Sequence, residues 1–349
     1  MRNVEPFQNP SRGREETLSV ARWLLLCAGM VLAMVLIGGI TRLTESGLSI
    51  VEWQPLVGTI PPLGDADWQA LYQKYQTSPQ FAQVNRGMTL AEFKGIFWWE
   101  YVHRLWGRLI GLVFALPFLW FLARRRISRA QAWKLGGIFA LGGAQGAMGW
   151  YMVASGLVDR PEVSQYRLTA HLGLALLIYA LLLWTAWGLR GASPSTAAAA
   201  ALRRDATVLL VLVTVTVLAG GFVAGLDAGL IYNTFPLMEG RLVPPDYLAT
   251  EPWWRDVFEN RATVQFHHRL LGIASLVAAA VLAWRALGAE TPRPVRRAAV
   301  ALAHIAALQV ALGVATLLLV VPVPLAALHQ AGAMALFTAA LWLRFVLSR

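Results

Sequence analysis

Four of the six histidines have the spacing to work as metal ligands: His103, His171, His268 and His329. Each lies roughly 18–20 residues from the same end of an apolar segment, so at about 1.5 Å per helical residue all four reach one depth. Two imidazoles from facing helices of a four-helix bundle are a ligand set for haem iron. We predict two such sites, His103 with His171 and His268 with His329. A single histidine is more simply explained as a polar residue whose hydrogen bonds are satisfied at a helix end. Four histidines at matched positions favour the interpretation as metal ligands.

Other metal chemistry fits the sequence less well. Zinc sites of the structural kind need a cluster of Cys and His, and the single Cys27 provides none. Glu100-x-x-His103 is half of a di-iron carboxylate signature, but the matching position of the second copy is Gln265. The two other histidines, His267 and His304, have no matched partner, and we interpret both as structural.

The Glu100 and Gln265 positions are the main chemical difference between the two copies of the motif. Glu100 is three residues before His103, on the same helix face, near the edge of the hydrocarbon. A carboxyl group there is a functional candidate, because it can exchange a proton whereas an amide cannot. We therefore predict that Glu100 is catalytic and that the second copy serves electron transfer or structure. An ion pair of Glu100 with Arg104 or Arg108 is the competing interpretation.

Arginines gather at the same depth as the histidines. Haem carries two propionates, and arginine pairs well with carboxylates. Ordinary charges at helix ends are the alternative, and the sequence does not rank the candidates. The candidate propionate contacts are Arg42, Arg104, Arg108, Arg167 and Arg269.

The segments that carry these residues predict an all-α integral membrane protein. Hydrophobic residues make up 57% of the 349 residues and charged residues only 14%, well below the share in soluble domains. A helix needs roughly 20 apolar residues to cross the hydrocarbon core. Eight segments qualify: 20–41, 98–123, 133–154, 169–189, 206–226, 267–287, 298–321 and 326–347.

The sequence contains an internal repeat of two copies. Gly38-Gly39 and Gly47-Leu48 recur as Gly220-Gly221 and Gly229-Leu230, and Gln145 with Gly149 recurs as Gln309 with Gly313. An even number of spans in each copy predicts two four-helix bundles related by a pseudo-twofold axis along the membrane normal. The predicted division is a tail (1–19), a first repeat (20–190), a linker (191–205) and a second repeat (206–349).

Two long outer segments accompany the repeats, at 42–97 and 227–266. In the first, residues 65–83 predict one short amphipathic helix. Thr89 and Glu92 form a capping-box pattern just before the second span.

The formal net charge of +11 is explained by topology. With a cytoplasmic N-terminus, more than half of the 30 Lys and Arg but few acids fall on the cytoplasmic side. This predicts a cell-membrane protein with both termini in the cytoplasm and the four histidines near the outer face. Nucleic-acid binding is the weaker interpretation, because the cations are divided among short separate segments.

A set of motifs over residues 20–347 resembles the haem A synthases, in the form found in alphaproteobacteria and mitochondria. The motifs are GGITRLTESGLSIVEWQPLVGTIPPL (38–63), EFKGIFWWEYVHRLWGR (92–108), QGAMGWYMVASGL (145–157), RLTAHL (167–172), AGLDAGLIYNTFPLMEG (224–240) and VQFHHRLLG (264–272).

The resemblance implies an eight-helix membrane oxidoreductase that oxidises the C8 methyl group of haem O to a formyl group. The product is haem A for cytochrome c oxidase, formed through an alcohol intermediate. It implies haem b on His268 and His329, substrate haem with His103 and His171, and an essential Glu100. Implied neighbours are the farnesyltransferase that makes haem O and oxidase assembly factors. Some members carry a Cys pair in an outer loop, but both long loops of this sequence lack Cys.

Two other functions compete with this one. A di-haem b electron carrier linked to quinone usually places its haems at both membrane faces, whereas here all four histidines share one face. A repeat-built transporter has its site near the midplane, where this sequence has no charge cluster. The electron partner, the source of oxygen and self-association are left open.

Overall fold

The computed structural model describes residues 10–52, 57–158, 163–191, 201–288 and 290–348. Across these ranges the chain is helical without any strand, and its one isolated bridge pairs Met238 with Arg241. The helices are α1 (Pro10–Leu43), α2 (Asp65–Gln76), α3 (Pro79–Gln83), α4 (Leu90–Ala123), α5 (Arg129–Gly156), α6 (Gln165–Arg190), α7 (Arg203–Gly225), α8 (Trp253–Glu259), α9 (Arg261–Gly288), α10 (Arg293–Leu318) and α11 (Val323–Val346).

Seven helices in the described part of the chain are long and apolar enough to cross a membrane. They are α1, from Arg14 onward, α4, α6, α7, α9, α10 and α11. The chain is thus a multi-pass membrane protein, as the composition predicts.

Helix α5 stands at the predicted third span, 133–154, but is not among the seven. Its 28 residues are enough to span. Seven of them are glycines, and Gln145 lies near the middle, so the segment is less apolar than its neighbours.

The observed helix ends confirm the predicted capping box and correct the prediction of a single helix over residues 65–83. Thr89 and Glu92 form the predicted capping box, and α4 therefore begins at Leu90, eight residues before the predicted span. Residues 65–83 are not one helix but two. The second starts at Pro79, with the Ser78 side chain accepting from Phe81 N (3.2 Å), because proline fits the first turn of a helix but not its interior.

The long helices contact one another in a pattern that repeats between the two copies. In the first repeat α1 packs on α4 and α6, and α5 packs on α4 and α6. In the second, α7 packs on α9 and α11, and α10 packs on α9 and α11. The two sets meet where α6 contacts α7 and where α1 contacts α11.

Two hydrophobic cores hold these helices. The large one joins residues of both repeats, including Leu24 and the buried thiol Cys27 on α1, Leu182 on α6 and Leu282 on α9. The small one is aromatic, and it packs the outer helix α2 on the start of α4. Its buried members are Trp68, Tyr75, Phe93, Phe97 and Tyr101.

The predicted tail (1–19) and linker (191–205) lie partly outside the described residues, which exclude 1–9 and 192–200. Helix α1 begins at Pro10, inside the predicted tail. Helices α6 and α7 end and begin at Arg190 and Arg203, at the two edges of the predicted linker.

Candidate functional site

The second repeat brings the rings of His268 on α9 and His329 on α11 next to each other. Their ring centroids are 6.4 Å apart, and the ring planes are nearly perpendicular at 85°. An imidazole nitrogen binds a first-row metal ion at about 2.0 Å, so two such bonds plus two ring radii span about 6 Å between centroids. The observed separation therefore fits one ion between the two rings.

Each of the four histidine rings lies against a glycine of a neighbouring helix. A Cβ atom at Gly38 would be 3.2 Å from His103 Nε2, and one at Gly149 would be 3.3 Å from His171 Cε1. In the second repeat the matching distances are 3.1 Å from Gly220 to His268 Cε1 and 2.8 Å from Gly313 to His329 Cε1. All four are glycines that the sequence repeat aligns in pairs, although the repeat alone did not predict this role.

Two matched glutamines also reach the histidine-bearing helices. Gln145 Nε2 on α5 donates to the His171 carbonyl oxygen (3.1 Å), and Gln309 Nε2 on α10 donates to the His329 carbonyl oxygen (2.9 Å). Gln309 Nε2 is also 3.1 Å from His329 Nδ1. Each glutamine stands one helical turn before the glycine that faces the same ring, so a Gln-x-x-x-Gly face seats each histidine.

Glu100 is a buried carboxylate with a full set of partners. Its side chain is 2% exposed, and Arg104 donates to Oε1 through Nη2 (2.6 Å) and Nε (3.0 Å). Oε2 accepts from Ser49 Oγ and from Ile50 N, each at 2.7 Å. The ion pair with Arg104 that the sequence offered as the competing interpretation is thus present. It holds the chain after α1 onto α4, one turn from His103.

Gln265 occupies the corresponding place with reversed polarity. Its Nε2 donates to the carbonyl oxygens of Ala228 (2.8 Å) and Ile231 (2.5 Å), and its Oε1 accepts from Arg269 Nη2 (2.9 Å). The loop thus offers acceptors here, where the first repeat offers the donors Ser49 Oγ and Ile50 N.

One helical turn after Glu100 and after Gln265 stands an arginine that donates to two loop carbonyl oxygens, and these oxygens occupy equivalent positions in the two repeats. Arg104 donates to the carbonyl oxygens of Ile50 (2.8 Å) and Glu52 (3.0 Å). Arg269 donates to those of Tyr232 (2.6 Å) and Thr234 (2.8 Å), which hold the same places in the repeat.

The other candidate arginines have different surroundings. Arg42 pairs with Asp227 of the second repeat at 3.0 Å and donates to the Ala224 carbonyl oxygen. Arg167 lies over the Tyr151 ring at 4.4 Å, a cation–π contact. Arg108 Nη1 is 3.5 Å from the Gly58 carbonyl oxygen. The five arginines thus have no contact in common.

The remaining two histidines have partners outside the pairs. His267 Nε2 is 3.3 Å from the Tyr247 hydroxyl, whose ring also packs on it. His304 Nδ1 is 2.8 Å from the Val300 carbonyl oxygen of its own helix.

Asp256 anchors the outer loop of the second repeat. It is fully buried and accepts from Thr263 Oγ1 (2.5 Å), Thr250 N (2.6 Å) and Asn260 Nδ2 (3.0 Å). Burial opposes its ionisation, but these three hydrogen bonds outweigh burial and hold the pKa of Asp256 below its usual value.

The sequence as a whole decides the family. Residues 21–341 match the profile of the COX15-CtaA family, described as cytochrome oxidase assembly protein. The chain belongs to this family.

Curated relatives cover nearly the whole chain. The haem A synthase of Nitrosospira multiformis is 54% identical over 333 residues, which are 95% of this chain and 94% of the relative. That of Rhodospirillum centenum is 50% identical over 97% of this chain and 91% of its own length. The mouse haem A synthase COX15 is 47% identical over 97% of this chain and 84% of its own length. The family match over residues 21–341 therefore spans the positions of His103, His171, His268 and His329.

Proposed function

We propose that this chain oxidises the C8 methyl group of haem O to a formyl group, giving haem A for cytochrome c oxidase by way of a hydroxymethyl intermediate. Haem A synthase is the function named for relatives at about 50% identity over nearly the full length. One observation assigns the reaction to particular residues: of the two matched histidine sites, only the one with His103 has a carboxylate, Glu100, beside it.

The eight long helices form two four-helix units, with α5 as the third span of the first. Its contacts with α4 and α6 correspond to those of α10 with α9 and α11. Gln145 and Gly149 on α5 approach His171 as Gln309 and Gly313 on α10 approach His329. A glycine-rich helix suits this position because it lets the imidazole lie close to the backbone.

The second repeat would be the haem b half, with His268 and His329 as the residues that would hold the haem iron. The 6.4 Å between their ring centroids fits an ion held between them, and Gly220 and Gly313 leave room for both rings. Haem b, when bound there, supplies one-electron chemistry, and the chain fixes its ligands from two helices. Gln309 orients His329 by binding its carbonyl oxygen and by lying against its ring nitrogen.

The first repeat is the substrate half, with His103 and His171 holding haem O. Gly38 and Gly149 leave room for the two rings as Gly220 and Gly313 do in the second repeat. Arg42, Arg104, Arg108, Arg167 and Arg269 remain the candidates for propionate contacts. Of these, Arg104 and Arg269 already bind backbone carbonyl oxygens through two nitrogens each.

Glu100 is the catalytic residue of this half. It holds a negative charge one turn from His103, fixed by Arg104, Ser49 and Ile50, in a place that excludes water. A fixed buried carboxylate stabilises positive charge that develops nearby and receives a proton at Oε1 or Oε2. Gln265 can do neither, and this favours the first repeat as the reactive one.

The protein lies in the bacterial inner membrane with both termini cytoplasmic and the haem sites near the outer face. The concentration of Lys and Arg in residues 2–22, 124–134, 190–204 and 285–297 supports this orientation. Its partners are haem O and lipid, with the haem O farnesyltransferase and oxidase assembly factors as neighbours.

Haem extraction from the purified protein tests the proposal. Chromatography with mass spectrometry is expected to find haem b together with haem O, haem A or the hydroxylated intermediate. Haem b alone at two per chain would instead favour the di-haem electron carrier. A folded protein without haem, expressed with haem supplied, would contradict both.

A further inference from the structure

Each repeat has two adjacent glycines at the outer end of its first long helix, Gly38-Gly39 on α1 and Gly220-Gly221 on α7. Successive residues of a helix point about 100° apart, so the two glycines of a pair face different neighbours. The first glycine faces the imidazole of its own repeat, at 3.2 Å for Gly38 and 3.1 Å for Gly220.

The second glycine of each pair faces the other repeat. A Cβ atom at Gly39 would overlap the amide of Gln330 on α11, and one at Gly221 would be 2.9 Å from Thr169 Oγ1 on α6. Gln330 directly follows His329, and Thr169 is two residues before His171. The contact therefore falls beside the histidine of the opposite repeat in both cases.

Further contacts make these positions close helix crossings. Gln330 Nε2 donates to the Val35 carbonyl oxygen on α1 (2.7 Å), one turn before Gly39. On the other side, a Cβ atom at Gly221 would also be 3.4 Å from the Thr169 Cα atom, so the neighbour there includes backbone.

We propose that each glycine pair positions one histidine from each repeat: Gly38 and Gly220 seat their own histidine, and Gly39 and Gly221 set the helix that carries a histidine of the opposite repeat. This rests on the proposed haem sites. The two sites are consequently held at one fixed spacing, and a change on α1 of the substrate half reaches the haem b half through Gln330. Gly39 and Gly221 are positioning residues, since neither touches a histidine.

Alanine substitution on α1 separates the two roles. Gly39→Ala, Gly38→Ala and Gly29→Ala are made in a chain whose first site is removed by His103→Ala and His171→Ala, so that only the second site binds haem. Gly29 is the matched control, because nothing lies within 4 Å of a Cβ atom there. The readout is the electron paramagnetic resonance spectrum of the ferric haem, which depends on the orientation of its two imidazoles.

Gly39→Ala is expected to shift the g values of this haem, whereas Gly38→Ala and Gly29→Ala leave them unchanged. Gln330→Ser added to Gly39→Ala is expected to restore the spectrum, because it removes the amide that the new methyl group meets. A spectrum for Gly39→Ala equal to that of Gly29→Ala would overturn the inference, and so would a shift that Gln330→Ser does not reverse.

A second measurement needs no haem. The thermal unfolding midpoint of the otherwise unaltered chain in detergent is expected to fall with Gly39→Ala, to recover with Gln330→Ser and not to fall with Gly29→Ala. Absence of haem from the unaltered chain would contradict the proposed function, whereas an unchanged midpoint with Gly39→Ala would contradict the coupling of the repeats. The two failures are therefore distinct.

Discussion

Glu100 with Arg104 in the first repeat and Gln265 with Arg269 in the second form two clusters of the same geometry, the Glu100 cluster and the Gln265 cluster. They differ in whether the loop donates or accepts hydrogen bonds. In both, an arginine one turn later binds two matched carbonyl oxygens of the loop and the side chain at the earlier position. The loop then offers two donors to Glu100 but two acceptors to Gln265. The shared part positions the loop, and the part that differs selects a carboxylate in one repeat and an amide in the other.

Substitution of the histidines is expected to show the largest difference between the two repeats. His268→Ala and His329→Ala are each expected to abolish the haem b absorption spectrum, because each removes one of the two residues proposed to hold the haem iron. His171→Ala is the matched change in the first repeat and is expected to retain it. A bis-histidine haem b spectrum in either second-repeat variant would exclude that site as its location.

Glu100→Gln is expected to lower haem A formation by about 10²–10⁴-fold, the range for loss of a general acid or base. Haem content is expected to remain close to that of the unaltered protein, as measured by extraction. Gln265→Glu is the reciprocal change and is expected to destabilise the second loop, because the carbonyl oxygens of Ala228 and Ile231 cannot donate to a buried carboxylate. Haem A formation at the unaltered rate by Glu100→Gln would remove Glu100 from the chemistry.

Arg104→Gln and Arg269→Gln compare the two clusters as supports of the loop. Arg104→Gln leaves a buried carboxylate without its ion pair and is expected to destabilise the fold by about 3–5 kcal/mol. Arg269→Gln breaks bonds between an arginine and neutral groups, for which about 1–3 kcal/mol is expected. Thermal unfolding in detergent measures both. Equal losses would mean that the Glu100 charge adds nothing to the fold.

The smallest expected difference between the two repeats is the response of their outer loops to low pH. Because the folded-state pKa of Asp256 lies below its ordinary value, its stabilising contribution is present above about pH 4 and is lost as the pH falls through the folded-state value. The exchange protection of amides at residues 246–263, corrected for the intrinsic exchange rate at each pH, is therefore expected to decrease below about pH 4.

The segment 75–85 of the first repeat provides the comparison for this acid test. Neutral Tyr75, Gln80 and Asn85 hold it, with Gln80 Nε2 donating to the Glu45 carbonyl oxygen (2.7 Å). The exchange protection of this segment, corrected for the intrinsic exchange rate at each pH, is expected to stay constant over the same pH range. Asp256→Asn is expected to destabilise the second loop by about 1–3 kcal/mol at neutral pH and to remove its acid response. An acid response that persists in Asp256→Asn would assign it to another group.

Periodicity and composition were enough to predict the long helices, since these depend on local sequence. The spacing of the repeat placed His268 and His329 on helices whose rings approach each other, whereas the ligand role of all four histidines stays a prediction. The break at Ser78-Pro79 is also local, but the amphipathic pattern of 65–83 concealed it. The polarity of the loop around Glu100 was not predictable, because Ser49 and Ile50 are brought to α4 only by the tertiary fold. The same holds for Gly39, whose partner Gln330 is almost 300 residues further along the chain.

The glycine-rich composition of α5 also affects how the chain enters the membrane during synthesis. A segment with lower hydropathy partitions from the translocon into lipid less readily than its neighbours. Under the proposed topology, α5 is retained in the membrane by contacts with α4 and α6 and by the basic residues just before and within its first turns, Arg124, Arg125, Arg126, Arg129 and Lys134. The proposed substrate half is therefore completed only after α6 has been translated. The glycines that suit α5 to the proposed histidine site thus make the helix dependent on its neighbours for insertion.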